Sequence, residues 1–340
     1  MKKTMKFYLG MDVSKAWVDI AVLCVSNGAK QPVETGHFDN TAAGMKVMGQ
    51  WLKKLKVSFD ANSLLVIENT GVYHRLVWEY CSSQGLPIHI GNATHIKWSF
   101  GIARGKNDKI DSQRLCSYAF KNADELKATP ALNPVFLTLK DMMTARSRLL
   151  AQKNSMKVYL GELRRTNSKE VQLIMEQAHQ AALEGIKASL KIVEKQIHQM
   201  IQEDAAILSN YKLLMSVPGI GHLTAVYIIC CTNNFICKIT GKQLASYAGV
   251  APFGNSSGSS IKGRDKVHKM ANKKLKKLFH MGAVSAITHY PEFKDYYERK
   301  LKEGKHVQSV INAIRSKIAI RAVAVINNQA SYVDNYKKAA

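Results

Sequence analysis

Four carboxylates, two in apolar runs and two spaced three residues apart, are the first chemistry-bearing group in this chain. Asp12 sits inside an apolar run, LGMDVS, and Glu68 closes another, LLVIEN. A carboxylate in such a strand is costly unless it meets a cation, a cleft or a hydrogen-bond donor. Asp108 and Asp111 follow three residues apart in KNDKIDSQRL, a spacing that puts both on one helical face if the helix begins early enough to include Asp108. Taken singly, each acid is better read as ordinary structure: Asp12 as a turn residue, Glu68 as a strand-end charge and Asp108 as a helix N-cap. Taken together, oxygen ligands from two strands and a helix start suit a pair of hard divalent cations, Mg2+ or its substitute Mn2+, clamping the oxygens of a displaced phosphodiester. The reaction class is phosphoryl transfer.

A second chemistry-bearing segment lies late in the chain. Residues 245–264, ASYAGVAPFGNSSGSSIKGR, read as a Gly/Ser-rich loop after an apolar helix, and a dense basic run follows. Lys262, Arg264, Lys266, Lys269, Lys273, Lys274, Lys276 and Lys277 are opposed nearby only by Asp265, which fits a phosphate-binding surface better than a solvated face. Arg104, Lys106, Lys109 and Arg114 flank the second acidic pair and join them as candidate nucleic-acid contacts. A hydroxyl beside a flexible glycine, as at Ser257–Gly258, could approach a phosphorus atom while neighbouring cations stabilise the attacking and leaving oxygens. Serine-rich loops are usually only loops, so spacing alone does not make Ser257 a nucleophile.

The elements that must position these groups are legible in outline. FYLGMDVS and WVDIAVLCV predict two strands joined by a short turn at Ser14 and Lys15, a hairpin. An extended PVETGHFDN precedes a helical pattern from about Thr41 to Leu55. A strand at SLLVIEN, a helix from about Tyr73, a strand at LPIHIGN and a helix over Lys109–Asn122 follow. This is a mixed α/β sheet. Pro130 and Pro134 then interrupt the chain, so a first domain ends near 130 to 140. Leu183, Ile186, Leu190, Val193, Ile197 and Met200 keep heptad spacing, which serves a coiled coil or an amphipathic helix packed in its own domain equally well. LLMSVPGIGHLTAVYII places a Pro-Gly-Ile-Gly turn between apolar helices, as in a helix-hairpin-helix unit. The tail from about Met270 to Ala330 is helical, interrupted at Pro291.

Composition narrows the partner. In 340 residues, 49 Lys and Arg face 25 Asp and Glu, a formal charge of +24 whose natural counterpart is a phosphate backbone. A merely soluble surface and an anionic membrane are the rivals. With 46% hydrophobic residues the chain buries real cores, and global disorder is excluded. No run approaches the roughly 20 apolar residues of a spanning helix, and the start lacks a signal-peptide core, which predicts a cytoplasmic protein without membrane partners. The six cysteines form no C-x-x-C pair and read as reduced core thiols.

GMDVSK, VIENTGVYH, ARGKNDKIDSQRL, SVPGIG and YAGVAPFGNSSG, in this order, resemble the DEDD insertion-sequence transposases related to the Piv DNA invertase, over nearly the whole chain. The most specific part is K-N-D-K-I-D-S combined with the late A-G-V-A-P and, five residues on, Ser-Gly. The resemblance implies a RuvC-like RNase H fold over residues 1–135, an α-helical coiled-coil dimerisation segment over 136–209, and a mostly helical C-terminal transposase domain over 210–335. It implies that Asp12, Glu68, Asp108 and Asp111 are the metal-binding tetrad, and that Ser257, with Ser256 as the adjacent alternative hydroxyl, attacks DNA to form a covalent intermediate. Asn107, where many relatives carry threonine, and the serine-rich, proline-poor loop at 256–260 depart from the pattern without removing a functional group. The resemblance further implies double-stranded donor and target DNA, a structured bridge RNA as guide, and a homodimer or homotetramer in which Ser257 could come from a neighbouring protomer. A RuvC-like junction-resolving endonuclease using activated water, and a nucleic-acid-binding protein without chemistry, are the competing readings.

Overall fold

The computed structural model describes residues 5–69, 71–100, 108–131, 133–257, 261–267 and 270–334. Two compact units divide between Leu132 and Asn133.

The first unit is built on a mixed sheet. β1 (Met5–Val13) and β2 (Trp17–Ser26) form the expected hairpin, with Asp12 opposite Asp19. β3 (Ala29–Lys30) and β4 (Glu34–Asp39) pair antiparallel to the far edge of β2, so the extended PVETGHFDN segment contributes a strand. β5 (Ser63–Glu68) and β6 (Ile88–Gly91) add in parallel on the other side of β1. Parallel neighbours need crossover helices, and these are α1 (Ala42–Lys54) before β5 and α2 (Arg75–Gln84) before β6. Thr41 caps α1 by accepting from the Gly44 N–H. α3 (Ala93–Ser99) and α4 (Asp108–Lys121) complete the unit.

Strand alternation sorts this core into two layers. Phe7, Leu9, Met11, Val18, Ile20, Leu65 and Ile67 pack under Met48 and Leu52 of α1 and Val77 of α2. On the opposite face Val66 meets Ile96, Leu115 and Ala119, while Ala21 and Leu23 meet Cys116. That second face, under α4, is the one that also carries Asp12.

The second unit is helical apart from one hairpin. Asn133 caps α5 (Pro134–Thr166), whose first-turn proline sits where no backbone donor is needed. α6 (Lys169–Glu203) returns along it after a short connection. The heptad residues Leu190 and Ile197 are buried within this unit, and α6 packs along α5, so the seam has an intramolecular partner. α7 (Ala205–Met215), α8 (His222–Thr232), α9 (Gly241–Tyr247), α10 (Lys273–His289), α11 (Pro291–Lys302) and α12 (Val307–Asn328) enclose a core that includes Ile228, Phe279, Ile314 and Ile318. The Pro-Gly-Ile-Gly turn joins α7 to α8, and Gly219 adopts φ +85° there. A Cβ on Gly282 of α10 would meet the Gly219 carbonyl oxygen at 2.1 Å, so helix and turn touch backbone to backbone.

The segment read as a Gly/Ser loop is instead largely paired. β7 (Pro252–Ser257) and β8 (Ile261–Val267) form an antiparallel hairpin with an irregularity between Phe253 and Asn255. Phe253, Ile261 and Val267 supply strand-forming residues that the glycines and serines between them conceal. Among the described residues, no helix is long and apolar enough to cross a membrane.

Candidate active site

β1 and β5 run in parallel register with Met11 opposite Ile67. Their next residues, Asp12 and Glu68, therefore emerge side by side at one end of the sheet. Both fall on the α4 face, since their predecessors Met11 and Ile67 belong to the opposite layer.

What brings the second acidic pair to the same place is a glycine. A Cβ at Gly10 would lie 1.9 Å from the Cys116 backbone nitrogen and 2.4 Å from the Ser112 carbonyl oxygen, so only a bare Cα allows α4 to rest directly on β1. The Cys116 thiol donates to the Tyr8 carbonyl at 3.1 Å, fixing the helix on the strand. Asp108 and Asp111 occupy the first turn of α4, where a carboxylate also interacts favourably with the helix dipole.

The electrostatics record this approach. Burial raises the Asp12 carboxyl above its ordinary value of 3.8, repulsion from Asp108 and Asp111 raises it further, the Val13 backbone N–H opposes the shift, and Asp19 adds to it. Asp108 accepts from the Trp17 indole Nε1 at 3.4 Å, and Asp111 from Arg114 Nη1 at 2.8 Å. Asp12, Asp108 and Asp111 are thus near neighbours that repel one another. Among the described residues no three His, Cys, Asp or Glu side chains converge into a ready ion cage. The donor set itself, all carboxylate oxygen and mutually repulsive, is of the kind that a hard divalent cation relieves.

Three neighbours went unnoticed in the sequence. Asp19 pairs across from Asp12 and hydrogen-bonds to His37, which donates from Nδ1 at 3.0 Å. Its signal was available, because WVDIAV buries an acid in an apolar strand as LGMDVS does. Trp17 carried no comparable mark. Asn40, 8% exposed, donates from Nδ2 to the Ser14 carbonyl at 2.8 Å and the Tyr73 carbonyl at 3.0 Å. It ties the turn after Asp12 to the loop after Glu68. Asn40→Ala is expected to cost about 2 kcal/mol, two net hydrogen bonds. All four tryptophans, Trp17, Trp51, Trp78 and Trp98, lie in the first unit, so urea denaturation of the full chain followed by indole fluorescence reads that loss directly. An unchanged midpoint would refute the tie.

In the second unit Ser257 ends β7 opposite Ile261, and Ser256 pairs with Lys262. Arg264 also lies on β8. Lys266, Lys273 and Lys277 are exposed and Lys276 is partly so. Lys274 points inward: its ammonium donates to Ser147 Oγ at 2.8 Å and the Met143 carbonyl at 3.3 Å, and burial lowers its pKa. Near the acids, Lys109 is exposed. Arg104, Lys106 and Lys269, also expected to touch nucleic acid, lie outside the described residues.

Residues 9–181 match the transposase family of the DEDD IS110 type, and residues 211–298 match the transposase IS116/IS110/IS902 family. The pilin gene-inverting protein of Moraxella bovis is 27% identical over 326 residues, 94% of this chain and 96% of the relative. Its counterpart from Moraxella lacunata is 26% identical over the same share. An uncharacterized 43.6 kDa protein of insertion element IS110 from Streptomyces coelicolor is 31% identical over 140 residues, 40% of this chain and 34% of that one.

Proposed function

The chain belongs to the DEDD IS110-type transposase family, an enzyme family acting on DNA, and from that premise we propose that it exchanges DNA strands by Mg2+-assisted phosphoryl transfer with a serine nucleophile, guided by a bridge RNA. The observation that carries the chemistry is the approach of α4 to β1 over Gly10, which sets Asp108 and Asp111 against Asp12. In a RuvC-like RNase H reading of the first unit, Asp12, Glu68, Asp108 and Asp111 hold the ions. Bound Mg2+ supplies charge neutralisation at the scissile phosphate.

Ser257 attacks phosphorus through Oγ, forming a phosphoserine ester as the bridging oxygen departs with the electron pair of the broken bond; the hydroxyl proton passes to a base and the departing oxygen is protonated. The basic β8 and α10 segment tracks donor and target DNA and the guide RNA. DNA inversion, which the Moraxella relatives carry in their name, is one outcome such exchange can give. We read residues 136–209 as the arm through which two or four copies assemble. Val158, Leu173 and Ile174, 60%, 59% and 63% exposed, support this, since they leave apolar side chains uncovered where α5 turns into α6.

The test is a denaturing gel of labelled element-end DNA incubated with protein and Mg2+, with and without RNA copied from the adjacent non-coding region. A protein–DNA adduct that disappears in Ser257→Ala supports the serine mechanism, and dependence on RNA supports the guide. Free cleaved ends, unaffected in Ser257→Ala, would replace this reading with a junction-resolving nuclease that activates water.

A further inference from the structure

Among the described residues, the sheet face beside the acids is only partly covered. α4 lies over β1, β2 and β5, while the β4 residues on that face, His37 and Asp39, remain exposed. Trp17 opens β2 opposite Asp39, two residues from Asp19 and on its face of the strand. It is 43% exposed, unusual for a side chain whose value in a fold is the large area it buries. Yet it is not loose. Its indole N–H donates to Asp108 Oδ2 at 3.4 Å, and its ring lies 5.9 Å from the His37 ring, which Asp19 holds in turn.

A wide apolar ring is thus held open to solvent at the edge of the acidic group. Its surroundings decide what it can take. Asp12, Asp19, Asp39 and Asp108 make this ledge hostile to a bare phosphate, and the imidazole beside the Trp17 ring, that of His37, is itself engaged by Asp19. A neutral π-face fits such a place, and base stacking on an aromatic is sequence-tolerant. A base stacked inside a duplex is out of reach, whereas a strand being exchanged must leave its pairing near the cut.

We infer that Trp17 is a stacking platform for an unpaired nucleobase of the strand whose phosphate lies at the acids. The inference rests on the phosphoryl-transfer reading for the placement of that phosphate. The indole hydrogen bond to Asp108 and the contact with the His37 ring order the side chain in advance, so little freedom is lost when a base lands on it.

The experiment uses the full chain and a single-stranded oligodeoxynucleotide carrying 5-iodouracil at successive positions, irradiated in Ca2+ and in EDTA, with adducts located by peptide mass spectrometry. Trp17→Ala and Trp17→Phe are run in parallel with equilibrium binding of the same strand. An adduct at Trp17 is expected, with Trp17→Ala losing it and binding about tenfold more weakly. Trp17→Phe, which keeps a ring but loses the N–H to Asp108, is expected to stay within about threefold of the parent. Adducts confined to other residues, no adduct, or a Trp17→Phe as weak as Trp17→Ala would overturn the inference; the last would leave Trp17 as a hydrogen-bond partner of Asp108 alone. Because the readout is contact rather than cleavage, it separates from the chemistry: a Trp17 adduct together with an Asp12→Asn variant that still cuts would keep the platform and refute the metal reading.

Discussion

Asp12→Asn is expected to reduce Mg2+-dependent strand cleavage by roughly a thousandfold, the equivalent of about 4 kcal/mol of transition-state stabilisation, while making the protein more stable. The two effects share one cause. Asp12 is partly buried among like charges, so its ionised form carries a cost in the folded state that an isosteric amide does not. The sign in pH follows. Its folded pKa lies above the unfolded one, so the folded protein holds the proton more tightly. The cost is therefore absent below the ordinary value of 3.8 and grows as pH rises through the raised folded value. Thermal melts of parent and variant should coincide at low pH and separate near neutrality, with the variant higher. Added Mg2+ should raise the parent's Tm and leave that of Asp12→Asn almost unmoved. A variant less stable than the parent at neutral pH would mean that Asp12 serves the fold, not a cation.

Gly10→Ala is the second large effect, and it acts on architecture. The added methyl would strike the backbone of α4 at Ser112, Leu115 and Cys116. Backbone atoms cannot rotate away as a side chain can, so the helix must lift from the sheet. The expected cost is roughly 3 kcal/mol, seen as a lower urea midpoint in indole fluorescence. Lifting α4 also carries Asp108 and Asp111 away from Asp12, so cleavage should fall further than the residual folded fraction explains. Because the obstacle is main chain, trimming Cys116 to alanine should restore nothing. A Gly10→Ala protein within about 0.5 kcal/mol of the parent would show that the close approach is dispensable.

The parts of this fold that sequence makes legible are those written locally. β-Branched and aromatic content marked β1 and β2, short apolar runs marked β5 and β6, and a helical pattern from about Thr41 marked α1. Asp12 and Glu68 stood out because an acid in an apolar strand demands an explanation. What stayed hidden depends on partners far along the chain. Nothing around Gly10 says that Cys116 will rest on it, and nothing around Asn40 says that it will join Ser14 to Tyr73. Heptad spacing in α6 defines a sticky face without naming its partner, here α5. The glycines of β7 and β8, Gly254 and Gly263, are poor strand formers, and pairing overrides that preference.

The two long helices of the second unit have a further consequence. α5 and α6 run 33 and 35 residues, about 50 Å at 1.5 Å per residue. Leu139, Met143, Ile197 and Ile201 root them in the core, and beyond those roots the only deeply buried side chains in either helix are Leu160 and Leu190. Such a pair of rods is a ruler graduated in residues. Seven residues inserted in each rod would carry its tip outward by roughly 10 Å, about three steps of a DNA ladder, while turning it by only about 20°. Five would swing the tip by roughly 140° to the far side. Whatever the tip grasps is therefore set at a distance, and on a bearing, that the chain counts out one peptide at a time.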